Sequence, residues 1–383
     1  MKFATATSRS DDTAKAVRGI AESVSRDLGG SSPTLALVFA SPNHADELDM
    51  VVSELQKAIR PTSLLGCVSE SIIGGAEEFE DGSALTLWAA VLPDTLVESQ
   101  HIEFQSTPDG IYFTGTPTVT ADPSTLLLIS SPAFRSDIYL QRCDEDFPNL
   151  QILGGVASGA RIDGRTRMII DSDIVETGAV GVLISGGVNV RPIVSQGCRP
   201  FGRTYVITKA DQNSIVSLKG RPAKDLLVEE IALLAPEDRQ LLTHGLHIGL
   251  AIDASKQTHS RGDFLVRNVL GIEKEGGAIF VTDFVRAGQT IQFHLRDAGT
   301  ASEDLHILLR KALEGGQPAG ALLFTCNGRG KRLFQAHSHD SGAVTKELGN
   351  IPLAGFFAAG EIGPIGGKNF LHGFTASVVL FGE

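Results

Sequence analysis

The side chains best placed to do chemistry stand beside glycine where short apolar runs end. Cys67, Ser69 and Glu70 follow Leu64-Leu65-Gly66, and Gly155 and Ser158 follow Ile152-Leu153-Gly154. Cys326, Asn327, Gly328 and Arg329 follow the apolar run 321–325, and Glu361 follows Gly355 in a long neutral stretch. Gly197, Cys198 and Arg199 form another glycine-rich segment, and Arg267 lies in a β-rich run. Glycine at a strand end permits unusual φ and lets backbone N–H groups approach a ligand closely. Serine adds hydroxyl donors, and an arginine fork matches a carboxylate. A carboxylate in apolar surroundings needs a partner, which a ligand ammonium or an arginine would supply. Arg199, Arg267 or Arg329 on a carboxylate, with Glu361 or Glu70 on an ammonium, would suit a zwitterion. The plainer reading stays beside it: tight turns for the glycines, solvated arginines, and buried inert thiols.

Other chemistries fit less well. The 363–368 segment lacks the phosphate-loop spacing, and Gly155 and Ser158 are one residue too far apart for a nucleophile elbow. His337-Ser338-His339-Asp340 would need two more metal ligands, so it reads as a solvated loop, as does the acidic run 77–81. No metal and no cofactor is expected. With four cysteines, no CxxC pair and a net charge of −12, the chain is expected to keep reduced thiols and to avoid nucleic acid and anionic membranes. Residues 1–10 are too polar for a signal peptide, and no apolar run reaches a membrane span. The expected location is cytoplasmic.

These residues need elements to hold them. Residues 34–40 read as a buried strand, 47–59 as a helix with Leu48, Val51, Leu55 and Ile59 on one face, and 64–65 as a strand stopping at Gly66-Cys67. The pattern returns at 126–155 and at 321–356, with loop glycines at 66, 154 and 355. Gly66 is followed by Ile73-Gly74, and Gly355 by Ile362-Gly363, at the same spacing, so divergent internal repeats are expected. A helix capped by Ser10 precedes the first repeat. Residues 265–270, 278–284 and 290–295 look like an antiparallel meander. The fold class is therefore α/β (α+β): repeated strand-helix-strand units with Gly-rich strand-end loops and mixed sheets. Two domains of similar size, 1–205 and 206–383, are expected, the meander lying in the second.

The segments LLGCVSESIIGG (64–75), LGGVASG (153–159), SQGCRPFG (195–202), FLVRNVLGIEKEGG (264–277), FTCNGRG (324–330) and GFFAAGEIGPIGG (355–367) together resemble the FIST family, with its N-terminal and C-terminal domains. The resemblance implies a sensory module that binds a small ligand such as an amino acid or its derivative. Output would pass through a signalling partner protein or a conformational change, since the chain has no room for an output domain. Relatives tend to carry Gly-Glu where this chain has Ser71-Ile72, whereas Gly360-Glu361 keeps the pattern. The preferred expectation is one cleft formed by the Gly-rich loops of both domains. Two alternatives are a protein-recognition adaptor and a cysteine-dependent acyl transferase or hydrolase using Cys67 or Cys326.

Overall fold

Strand outweighs helix, 44% against 25%, so sheets carry this α/β fold. The computed structural model describes residues 1–119, 121–160, 165–253, 256, 258–259 and 262–382. Three times, a strand, a helix and a second strand form a parallel pair. Leu35–Ala40 pairs with Ser63–Val68, Ser124–Ser130 with Leu150–Val156, and Gly320–Cys326 with Leu353–Ala358. These strands are buried along almost their whole length, which is why they read as apolar runs without alternation. Helices Leu48–Ala58, Ser136–Asp146 and His339–Leu348 lie in the crossovers.

The repeat glycines sit inside the second strands, which corrects the expectation that the strands stop there. Gly66, Gly154 and Gly355 stand in register with Val38, Leu128 and Leu323. A Cβ on them would lie 2.1, 1.9 and 1.8 Å from the carbonyl oxygens of those three residues. Backbone cannot give way as a side-chain end can, so the close strand contact requires glycine. The same constraint at the same place in three segments is what a repeat would produce.

After each parallel pair the chain crosses to the sheet of another repeat. Ile72–Gly74 pairs with Leu353–Ala358, Glu361–Ile365 with Leu150–Val156, and Met168–Ile170 with Ser63–Val68. The first repeat thus edges the third, the third edges the second, and the second edges the first. Trp88, fully buried, helps lock this exchange. Its ring lies 5.5 Å from Phe3 and 5.1 Å from Phe381, and its indole N–H donates to the Pro352 carbonyl at 3.1 Å.

These exchanges set the compact units. One comprises Met1–Val194, Leu305–Leu371 and Thr375–Glu383; the other comprises Ser195–Asp304 with His372–Phe374. A cut at Tyr205 follows chain order, whereas the contacts follow the strands, which return the third repeat to the first unit. In the second unit, Cys198–Asp211 pairs with Thr290–Arg296, then Leu246–Ala251, Phe264–Ile272, Ile279–Val281 and Ser214–Leu218, which pairs back to the first strand. The expected meander is therefore part of a closed antiparallel barrel, filled by Phe201, Tyr205, Ile248, Ile279, Ile291 and Phe293.

Two local differences have simple causes. The first helix is Thr13–Asp27 and its cap is Asp12, whose side chain accepts from the Lys15 N–H; Ser10 instead accepts from the Asp12 N–H at 3.2 Å. Lys2–Ser8, too polar to read as a strand, pairs with Leu85–Val91 because only some of its side chains face the core.

Candidate functional site

The ends of the three central strands of the first unit, at Val68, Val156 and Ala358, bring three turns together. Ser158 joins them: its hydroxyl accepts from the Glu70 N–H at 2.9 Å and donates to the Phe357 carbonyl at 2.5 Å. The Phe357 N–H in turn donates to Ser71 O, and the Ala359 N–H to Val156 O, both at 2.9 Å. Gly155 is a close-approach position, since a Cβ there would stand 2.9 Å from that of Ala358.

A fourth turn enters from Cys326. The Asn327 N–H donates to Ala358 O at 2.9 Å, and the Gly328 N–H to the Cys326 sulfur at 3.5 Å. Arg329 is fully buried and grips Asp340 with two hydrogen bonds, Nε to Oδ2 at 2.7 Å and a terminal nitrogen to Oδ1 at 2.8 Å. The Thr325 hydroxyl donates to the same carboxylate, and His339 Nδ1 lies 2.9 Å from it. Phe334 stacks on His339 at 3.4 Å and lies 5.1 Å from the guanidinium. Burial alone would push Asp340 up, but the Arg329 charge overrides it and holds the carboxyl below the ordinary range. Arg329 therefore serves Asp340 rather than standing open to an anion.

Glu361 is the contrasting group. It is fully buried, and its Oε2 accepts from the Thr375 N–H at 3.0 Å and hydroxyl at 2.7 Å. Its Oε1 has no hydrogen-bond partner. Burial pushes its carboxyl up to about 8, although the Thr375 contacts, the Arg329 charge and the Cys326 thiol draw it partway back. In the exchanged strands Glu361 stands opposite Gly155, and the matching position in the first repeat is Ile72, opposite Phe356. The polar group therefore belongs to one repeat junction.

The other expected residues fall as follows. Ser69 is buried with its hydroxyl 3.4 Å from the Cys67 sulfur, and burial pushes the Cys67 thiol up to about 12. A thiol so disposed is a poor nucleophile at neutral pH. Glu70 pairs with Arg332, and Asn327 approaches it at 3.5 Å. In the second unit, Arg199 is held by Asp238 and by Asp297 at 3.0 Å. Arg267 is held by Asp283 at 2.7 Å. Cys198 is buried, and the Gly197 carbonyl accepts from the Asp297 N–H at 3.5 Å. Gly355 is structural, as described above.

Two segments expected to be solvated loops are not. Asp340 is 1% exposed and Glu78 7%; the first opens a helix, and the second lies in the strand Glu77–Phe79, paired with Ile72–Gly74. Arg332 was also invisible, because nothing in the sequence ties it to Glu70.

The model of the FIST N domain matches residues 34–221, and that of the FIST C domain matches 223–364. The chain belongs to the FIST family. An uncharacterised protein of Mycobacterium tuberculosis is 40% identical over the full length of both chains. Another, from Mycobacterium bovis, is 42% identical over 93% of this chain and 92% of its own. FIST domains are sensory, signal-transduction modules of a non-enzymatic type. Among the described residues, no helix of this FIST protein is long and apolar enough to cross a membrane.

Proposed function

We propose that this protein is a cytoplasmic, non-enzymatic sensory module that binds a small ligand, an amino acid or derivative, at the strand-end turns of its first unit and signals through a partner protein. The observation that carries this reading is Glu361 Oε1, buried and unpartnered near turns knit together by Ser158. A buried polar atom without a partner costs about 1–3 kcal/mol, and a ligand N–H recovers that cost. An ammonium does so best, because it also offsets the burial that holds the carboxyl protonated. With Arg329 committed to Asp340, the ligand's other end meets backbone N–H groups and the Asn327 amide rather than an open guanidinium. Ordering of these turns, which join all three repeats, is the means by which occupancy reaches a partner.

The test is thermal unfolding across amino acids, their N-acyl and ester derivatives, and simple amines, for the wild type and Glu361→Gln. A ligand at about a hundred times its Kd adds roughly 2.7 kcal/mol. The variant should lose that gain. A flat response across the panel, or an equal gain in the variant, would sink the reading.

A further inference from the structure

Between the buried strand Gly320–Cys326 and the helix His339–Leu348, the chain forms one short helix, Lys331–Phe334. Three left-handed residues bracket it: Gly330 at φ 57°, Gln335 at 52° and Ser338 at 54°. Outside glycine that conformation is costly and persists only while the surroundings impose it. Gly330 has no room for a side chain, since a Cβ would stand 2.7 Å from Glu80 Oε2 and 2.8 Å from the Phe357 ring. None of residues 331–338 is buried. Apart from the Phe334–His339 stack, polar contacts hold the segment down, which marks it as a part of low local stability.

The anchors come from 70–81 on one side and from Asn327 on the other. The Lys331 N–H donates to both Glu80 oxygens at 3.1 Å, and its ammonium pairs with Asp81. Arg332 pairs with Glu70 through one terminal nitrogen and donates to the Asn327 carbonyl at 2.7 Å through the other. It thus spans two of the turns that meet at the strand ends. The Glu70 hydrogen bond pushes the guanidinium up, burial opposes it, and the charges of Glu70, Glu80 and Cys326 add to the rise. Arg332 therefore stands within electrostatic reach of the Cys326 thiol, which is 7% exposed.

We infer that residues 330–338 are a salt-sensitive latch over the strand-end turns, fastened by Arg332. Closed, it ties Glu70 to Asn327; open, it frees the Asn327 amide and uncovers Cys326. The inference rests on the reading of these turns as a ligand site, whose entry the latch would control. Both ion pairs face solvent, with Asp81 83% and Arg332 52% exposed. Such pairs are weak and are screened by salt, so opening increases with ionic strength.

The test uses no ligand. The full chain is alkylated with iodoacetamide at pH 8, in low salt and in about 0.5 M sodium chloride, and each cysteine is followed by peptide mass spectrometry. The reagent is uncharged, so salt does not steer it. Wild-type Cys326 should label faster in salt. Arg332→Met and Glu70→Gln should each raise its low-salt rate about threefold or more and remove most of the salt effect, while Arg332→Lys should recover most of the wild-type behaviour. Loss of a nearby positive charge would by itself slow a thiolate reaction, so a faster rate in Arg332→Met reports opening. Cys143, packed with Tyr139, Leu140 and Ile152 in a separate core, should not change. A Cys326 rate unaltered by salt and by both variants, or a rise matched at Cys143, would overturn the latch. Either result would leave the ligand reading standing, and a flat ligand panel would leave these labelling rates as they are.

Discussion

Ile169 stands opposite Gly66 across an antiparallel pair that joins the second repeat to the first. Ile73 stands opposite Gly355, and Ile362 opposite Gly154, in the same way. Each glycine therefore has an isoleucine on one side and a crowding carbonyl on the other.

Gly66→Ala and Gly355→Ala should each destabilise the protein by roughly 3 kcal/mol or more, since a new Cβ meets backbone rather than a movable side chain. Gly19 provides the control. It lies in the helix Thr13–Asp27 with nothing within 4 Å of a Cβ, so Gly19→Ala should stabilise by about 0.5–1 kcal/mol. Urea midpoints of the three variants check this; equal effects would refute the steric argument.

Removing one partner of the buried Arg329–Asp340 pair leaves an uncompensated charge. Arg329→Met and Asp340→Leu should each cost about 3–5 kcal/mol, and the double variant much less than their sum. A double-mutant cycle in denaturant measures the coupling, and additivity would contradict the geometry.

Stability should fall as pH rises from about 6.5 to 8. The Glu361 carboxyl stays protonated in the folded protein up to about 8, whereas its unfolded counterpart ionises near 4.5. Within that window unfolding releases a proton, so each unit of pH costs up to about 1.4 kcal/mol. Glu78, also raised to about 8 by burial and by Asp340, acts in the same direction. Below 6.5 a different pair matters. Burial lowers His247 and His294 to about 4, so on unfolding these two take up protons, which offsets the release by Glu361 and Glu78 and flattens the pH dependence between about 4.5 and 6.5. Glu361→Gln should gain on the wild type steadily between pH 6.5 and 8 in urea titrations; a parallel pH dependence would contradict the assignment.

All four cysteines are buried, and burial pushes both Cys67 and Cys143 up to about 12. A thiol-reactive chromophore at pH 8 should find these two unreactive in the native protein and all four accessible in denaturant. Fast native labelling mapped to Cys67 would reopen the catalytic alternative.

Residues 1–205 expressed alone should not fold cooperatively. In that fragment Ile72–Gly74 loses Leu353–Ala358, and Leu150–Val156 loses Glu361–Ile365. Near-ultraviolet circular dichroism and size-exclusion chromatography would show a fixed, monomeric core if this expectation were wrong.

The apolar runs revealed the repeated strands and helices, because strands buried on both faces have no alternation to disguise them. The register glycines were visible as residues but misread as turns, since a glycine demanded by a neighbouring carbonyl looks no different in one dimension from one demanded by a loop. Glu361 was legible because a single acid among neutral neighbours must be explained. Asp340 and Glu78 were not, for each sits in a charged or polar run whose usual meaning is solvent, and only the exchange of strands between repeats puts them inside. The barrel was half legible: its strands showed, but the pairing of Ser214–Leu218 back to Cys198–Asp211 depends on twist and closure that spacing does not encode.

The circular trade of edge strands has a consequence for synthesis. Leu353–Ala358 receives Ile72–Gly74, and Thr375–Gly382 flanks Gly320–Cys326. A ribosome must therefore deliver the chain as far as the strand Leu353–Ala358 before the earliest repeat can complete its hydrogen bonding. Until then the nascent chain carries exposed, strongly apolar ribbon edges, the kind that chaperones recognise and that aggregate when left alone. For this protein, the hazard of assembly grows with every residue translated and ends only when the last sheet partners emerge.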